Sequence, residues 1–360
     1  MGYLYNEYRR PTSPIYVGAV GIGGDHPISV QSMTNTPTHD VEATYAQVRR
    51  LEEAGCDIVR ITAPDLESVE TFRELKRRGV RIPLVADIHF NYRIAIAVAE
   101  AGVDKIRINP GNIGSPDKVR EVVAACRERE IPIRIGVNSG SLEADILKRY
   151  GAPTAEALAE SAIGHARILE ELDYTKIAIS VKASDVQTMI RANRILAEKV
   201  NYPLHLGVTE AGARTRATVK SSIGIGTLLA EGIGDTIRVS LTDDPVEEIA
   251  MARHILDSLD LSEHRHMDVV SCPTCGRTRI DLISLAAEFE RRAAESGLDK
   301  KSLKVALMGC AVNGPGEARE ADIGVAGGYG EALLFKKGVV QRKIKEENIL
   351  EELLREISLM

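Results

Sequence analysis

Residues 105–110 read KIRINP and residues 132–138 read PIRIGVN. In both, charged, amide or glycine positions alternate with Ile or Val. Successive side chains of a strand point to opposite faces. Lys105, Arg107 and Asn109 therefore share one face, with Ile106 and Ile108 on the other. Arg134, Gly136 and Asn138 likewise stand opposite Ile133, Ile135 and Val137. Six further runs surround these two: 28–33, 57–63, 83–89, 176–183, 203–209 and 235–242. Helical patterns separate all eight, including one that Thr154 is placed to cap, with Leu158, Ala162, Leu169 and Leu172 on one face. Strands alternating with helices imply parallel β/α units, and eight of them predict a closed (β/α)8 TIM barrel, an α/β fold. A doubly wound sheet is the competing architecture, and eight regular units count against it.

The same alternation holds elsewhere. Arg60, Asp87 with His89, Ser180 with Lys182, His205 with Thr209, and Arg238 with Ser240 each oppose aliphatic neighbours. A barrel's outer face packs under helices and must be apolar, so the polar set points inward, toward the strand ends where barrel sites form. An open antiparallel sheet with one wet face would explain alternation, but not the helices between. Arg60, Arg107, Arg134, Lys182 and Arg238 face a single strand carboxylate, Asp87. Five confined cations repel at a cost of several kcal/mol unless anions offset them. A multiply phosphorylated ligand is the natural offset, since guanidinium forks match phosphate oxygens. Asp87, His89, His205 and Glu210 are candidates for proton transfer or substrate contact. Arg214, Arg216 and Lys220 lead into SSIGIG at 221–226, a second candidate phosphate site. That glycine signal is weak on its own, as are GIGGD at 21–25 and PGNIG at 110–114, each readable as a turn.

Composition narrows the class further. A net charge of −6 argues against nucleic acid as a partner. No apolar run reaches the roughly 18 residues that would cross a bilayer. The first residues lack the apolar core of a secretory signal, so the expectation is a cytoplasmic protein without membrane attachment. Five cysteines is an odd number, which disfavours a secreted disulfide framework.

After His264 the apolar rhythm changes. The reading is a barrel over 1–264 and a small α+β domain over 265–360. In the second, strands are expected at 268–272, 303–309 and 322–326, with a helix from near Thr278, a hairpin at Gly338 and a last helix after Lys345. Cys272, Cys275 and Cys310 fall here. Cys56 and Cys126 sit in apolar surroundings and read as buried hydrophobes. A redox disulfide would leave Cys310 without a role. Structural zinc would need a fourth ligand, for which His264 or His266 is available. An iron–sulfur cluster takes thiolates, and three of them leave one iron open. Spacing alone leaves zinc and cluster level. The turn 313–317, NGPGE, follows Cys310 closely enough to return the Glu317 carboxylate to the same metal, which favours the cluster.

These motifs carry a resemblance. VQSMTNTPTHDVEAT (30–44), LVADIHFNYRIA (84–95), IRINPGNIG (106–114), IPIRIGVNSGSLE (131–143), PLHLGVTEAG (203–212), EGIGDTIRVSLTDDPVEEI (231–249), CPTCGR (272–277) and GCAVNGPGEA (309–318) stand in one order across the whole chain. The chain resembles the bacterial 4-hydroxy-3-methylbut-2-enyl diphosphate synthase family, in its two-domain form. The resemblance implies a TIM barrel followed by a reductase-like domain holding a [4Fe–4S] cluster on Cys272, Cys275, Cys310 and Glu317. It implies diphosphate binding by Arg60, Arg107, Arg134, Lys182 and Ser240, with Asn109, Asn138, Glu210 and Asn313 as further site positions. It implies reductive opening of a cyclic diphosphate with flavodoxin or ferredoxin as donor. It also implies a homodimer in which each barrel mouth is covered by the partner's cluster domain. The rival readings are a non-redox barrel transferase similar to the pterin-binding family, with structural zinc, and a metabolite sensor without chemistry.

Overall fold

The computed structural model describes residues 8–262, 266–311 and 318–360. The chain divides into two compact units, 1–262 and 263–360, each described by itself below. The expected boundary at 264/265 lies outside the described residues, as do Asn313, Glu317 and His264.

The first unit is the barrel. Its strands are β3 (Ser29–Met33), β4 (Ile58–Thr62), β5 (Leu84–Asp87), β6 (Lys105–Ile108), β7 (Ile133–Asn138), β8 (Ile177–Lys182), β9 (His205–Leu206) and β10 (Thr236–Ile237). They form one eight-stranded sheet in which all pairs are parallel. A parallel bridge from Ile179 to Leu204 joins the first and last strands of that order and closes the ring. The last two strands are shorter than the alternation predicts. Beyond them the hydrogen bonds become single: Arg238 N donates to the Leu206 carbonyl at 3.0 Å and Thr209 N to that of Ala183 at 3.2 Å.

Helices follow the strands because polar caps stand ready at their starts. Asp40 accepts from Ala43 N at 2.9 Å, Thr154 from Ala157 N at 3.2 Å, Asp185 from Thr188 N at 2.7 Å and Asp244 from Val246 N at 3.0 Å. Ile106, Ile108, Ile133, Ile135, Val137, Ile179 and Val181 lie in one continuous core with the inner faces of these helices. The apolar strand face is therefore the outward one, and the polar face looks into the barrel.

The barrel floor is closed by a hairpin, β1 (Ile15–Val17) paired with β2 (Val20–Ile22). Its Ile15, Val17 and Ile22 pack on the inward Ile58, Val85 and Ala178. Burying each such side chain stabilises by about 1.5–3 kcal/mol and leaves the floor dry. Gly21 to Asp25 belong to this plug and its following turn, so GIGGD is not a phosphate loop.

The second unit is a five-stranded mixed sheet. Strands β11 (Asp268–Ser271), β12 (Lys304–Met308) and β13 (Ile323–Gly327) run parallel, and β14 (Glu331–Lys336) and β15 (Val339–Lys345) complete it antiparallel. The β14–β15 hairpin turns at Gly338, as the sequence indicates. Helix Leu282–Glu295 begins later than Thr278, because Asp281 is its cap, accepting from Ser284 N at 3.2 Å. Thr278 is engaged instead in a turn with Cys275: its N–H donates to the Cys275 carbonyl at 2.9 Å, and its Oγ1 accepts from Cys275 N at 3.1 Å. Helix Ile349–Ser358 packs Ile349, Leu353 and Ile357 into this unit's core.

Candidate active site

Strand register assembles the cationic interior. Asp87, Arg107 and Arg134 are successive neighbours across β5, β6 and β7. Arg60 and Arg107 both bond the Asp87 carboxylate, Arg107 Nη1 reaching Oδ1 at 3.2 Å and Arg60 Nη2 the other oxygen. Arg107 Nη2 also donates to the Gly136 carbonyl at 3.1 Å. A Cβ at Gly136 would collide with the Arg107 guanidinium, so this strand position has to be glycine for that group to lie flat. Burial pushes the Asp87 carboxyl up, but Arg60 and Arg107 outweigh it and hold it well below the usual carboxylate range. Burial draws the Arg60 guanidinium down to about 10, against the opposing influence of Asp87.

Glu248 is a second carboxylate that strand alternation does not reveal. It belongs to helix Pro245–Asp257, is 3 % exposed, and reaches inward to Arg238. Arg238 Nε and Nη2 donate to its two oxygens at 3.2 and 3.0 Å, and Ser32 Oγ donates to Oε2 at 2.9 Å. A buried charge inside an otherwise apolar helix face, PVEEIA, was the available signal.

The two carboxylates are thus taken, and other cations stay unmatched. Arg134 is 1 % exposed, and its Nε and Nη1 have no hydrogen-bond partner. Burial, reinforced by Arg60 and Arg107, pushes that guanidinium well below its ordinary range. Lys182, at the end of β8, is buried and is pushed down by burial and then by Arg238 and Arg134. His205 is fully buried on β9, its Nδ1 3.4 Å from Thr236 Oγ1 and its Nε2 unpartnered. Burial and then Arg134 and Lys182 keep this imidazole neutral, well below its usual range.

At the rim, Asn109 Oδ1 accepts from Gly111 N at 3.1 Å, capping the short turn Pro110–Ile113. Its Nδ2 points to the Ser141 carbonyl at 3.5 Å. Asn138 caps the next turn, Ser139–Ser141. His89 is exposed, its Nε2 3.9 Å from Asp87. Glu210 is exposed just beyond β9, in a left-handed conformation at φ 53°. Ser240 is half-buried two residues past Arg238.

The SSIGIG segment is not a phosphate loop. Residues 214–230 form one helix, and Gly224 within it packs against Val208, Met189 and Val186. Arg214 pairs with Glu247, and Lys220 Nζ donates to the Ser184 carbonyl at 3.1 Å. The small residues here serve helix–barrel packing.

In the second unit, parallel pairing of Ser271 with Leu307 brings the ends of β11 and β12 together. Cys272 follows β11 and Cys310 follows β12 by two residues. Gly309 N donates to Cys272 Sγ at 3.3 Å, and Arg279 N donates to the Gly309 carbonyl at 2.9 Å. The loop 272–279 therefore lies along the strand end that carries Cys310. All five cysteines are free thiols in this structure. Cys56 and Cys126 are buried, their thiols pushed up to about 12 by burial, which makes them inert. Among the described residues no three His, Cys, Asp or Glu side chains are drawn together as metal ligands. The donor chemistry nonetheless suits a thiolate-held group: Cys272 and Cys310 are free thiols just past neighbouring strand ends, Cys275 is a third in the loop after β11, and Cys272 Sγ already accepts a backbone N–H.

A parallel barrel with a cation-rich interior, followed by a separate domain bearing free thiols, defines a class of anion-binding barrel proteins with a thiol-bearing partner domain. Residues 12–253 match the GcpE TIM-barrel domain, and residues 268–359 match the GcpE protein C-terminal domain. The chain belongs to the GcpE family. It is 58% identical over 347 residues to a relative from Clostridium perfringens, covering 96% of this chain and 98% of that one. It is also 58% identical over 352 residues to one from Ruminiclostridium cellulolyticum, covering 98% of each. A third, from Geobacter sulfurreducens, is 55% identical over 97% of this chain and 98% of its own. All three are named 4-hydroxy-3-methylbut-2-en-1-yl diphosphate synthase (flavodoxin). Among solved structures, the N-acetylneuraminic acid synthetase of Leptospira borgpetersenii aligns at TM-score 0.50 and 12% identity, over 79% of this chain and 97% of that one. At that identity the likeness is one of fold alone. Among the described residues no helix is long and apolar enough to cross a membrane.

Proposed function

We propose that this chain is an oxidoreductase of isoprenoid biosynthesis that opens 2-C-methyl-D-erythritol 2,4-cyclodiphosphate reductively. Two electrons from reduced flavodoxin, with two protons, leave (E)-4-hydroxy-3-methylbut-2-enyl diphosphate and one water. The observation that carries this reading is Arg134: a fully enclosed guanidinium with two unpartnered nitrogens, beside cations whose carboxylates are already engaged. An unmatched buried cation is costly, and a diphosphate supplies both the charge and the acceptor oxygens.

Arg60, Arg107, Arg134, Lys182, Arg238 and Ser240 hold the two phosphates in this reading. Asn109 and Asn138 shape the rim, and the apolar hairpin plug excludes water from below. Fixed cations in a dry interior stabilise charge that develops on the leaving phosphate oxygen, without reorganisation. His89 beside Asp87, and Glu210 across the mouth, stand where protons enter from solvent. Cys272, Cys275 and Cys310, with Glu317 as oxygen ligand, would hold a [4Fe–4S] cluster. Such a cluster supplies one-electron transfer and Lewis acidity. Asn313 completes the set, ferredoxin is the alternative donor, and the active form is a homodimer in the cytoplasm.

Metal analysis of protein purified without air separates this reading from a zinc-bearing transferase. Brown protein with near-stoichiometric iron and sulfide is the expected result. Colourless protein carrying one zinc would overturn it.

A further inference from the structure

The polar face of β6 begins one layer below Arg107, at Lys105. This residue is completely buried, and its Nζ has no hydrogen-bond partner. Register places it beside Val85, which is part of the apolar floor packed on the hairpin plug. Its charged neighbours are cations, Arg134 first and then Arg60. The nearby carboxylates are committed elsewhere, Asp87 to Arg60 and Arg107, and Glu248 to Arg238, Ser32 and the Leu241 N–H. Among the described residues no side chain balances a charge on this amine, and an ammonium stranded in a dry interior gives up its proton instead.

We propose that Lys105 is a charge-compensating residue of the ligand site, neutral in the empty barrel and protonated from solvent when a doubly anionic ligand settles above it. The inference rests on the cyclic diphosphate reading and deepens it. A diphosphate lying against Arg134 and Arg60 cancels the repulsion that those cations direct downward, and adds an attraction of its own. The amine then gains a proton, and the anion gains a further countercharge beneath it. Each phosphorus of a cyclic diphosphate carries a single strongly acidic hydroxyl, so the ligand's own charge does not change near neutral pH. A proton taken up on binding therefore belongs to the protein.

Other groups face the same interior. His205 on β9 and Lys182 on β8 are also buried, and burial together with the arginines disfavours the charged form of each, so each is a competing acceptor. Lys182 differs in having Glu248 near enough to favour its charge. Lys105 has no carboxylate among its influences. Arg60, Arg107, Arg134 and Arg238 stay charged once an anion is present, and Asp87 remains ionised.

The test is calorimetric titration of the oxidised, cluster-loaded protein with the cyclic diphosphate, at one neutral pH in two buffers of different ionisation enthalpy. The wild type is expected to take up about one proton per ligand bound. Uptake should vanish in Lys105→Met and persist in His205→Gln and Lys182→Met. Uptake retained in Lys105→Met, or lost only in Lys182→Met, overturns the assignment. The wild type alone gives a second measurement should Lys105→Met fold poorly. Its Kd should weaken with rising pH, by up to about tenfold per unit, and a flat profile overturns the proposal. Binding without proton uptake defeats only this inference, whereas absence of binding defeats the diphosphate reading itself.

Discussion

Arg238 lays its guanidinium along the Glu248 carboxylate, Nε to Oε2 at 3.2 Å and Nη2 to Oε1 at 3.0 Å, although one residue follows a strand and the other sits on the next helix. The pair ties the mouth of the barrel to its outer shell, and it leaves Arg134 and Lys105 without a carboxylate of their own. Removing one partner of a buried pair strands the other. Glu248→Ala should therefore cost about 3 kcal/mol of stability, the low end for such pairs because Arg238 is partly exposed. A urea unfolding midpoint equal to wild type would contradict this.

Arg134→Leu takes away an unmatched buried cation together with its unsatisfied nitrogens. Stability should hold or rise, while affinity for the cyclic diphosphate falls by tenfold or more, as expected for losing charge-assisted hydrogen bonds worth about 1.5–3 kcal/mol. Equilibrium titration checks the affinity, and an unchanged Kd would mean that the phosphates lie elsewhere.

Asp87 makes stability fall in acid. Its carboxyl is held below its unfolded value, so its contribution is complete above about pH 4, where the unfolded chain's aspartates ionise. It is lost as pH drops through the lower folded value. Thermal melts across acidic pH should show that loss in the wild type and a flatter limb in Asp87→Asn. Parallel limbs in the two proteins would place the acid sensitivity elsewhere.

At Gly136 a methyl group would collide with the Arg107 guanidinium. Gly136→Ala should turn Arg107 away from Asp87, costing about 1–3 kcal/mol in folding and weakening diphosphate affinity. A variant with wild-type affinity would show that Arg107 does not need this approach.

Cys310→Ser should retain the barrel's secondary structure by circular dichroism but lose iron, sulfide and turnover together. Full iron content in that variant would remove Cys310 from the proposed ligand set.

Much of the barrel is legible in alternation alone. The positions Lys105, Arg107 and Asn109 against Ile106 and Ile108 give strand, face and polarity at once, because a parallel strand under helices admits no other arrangement. Asp87 is legible for the same reason. Glu248 is not, since a helical carboxylate reads as solvated until the fold turns it inward. The glycines of SSIGIG misled because their service is close packing of a helix against Val208 and Met189, which resembles a phosphate loop only in one dimension. The hairpin plug was hidden by its shortness: three residues a strand carry no periodicity. The thiols were legible as a set through their spacing, and the β11–β12 register adds why Cys272 and Gly309 meet.

Anaerobic turnover with 2-C-methyl-D-erythritol 2,4-cyclodiphosphate and a chemical reductant tests the central claim most directly. Iron-loaded protein should consume the cyclic diphosphate and release the open allylic diphosphate, seen as loss of the ring phosphorus resonances and gain of a linear diphosphate pair. Iron-loaded, fully reduced protein that leaves the cyclic diphosphate untouched would contradict the account.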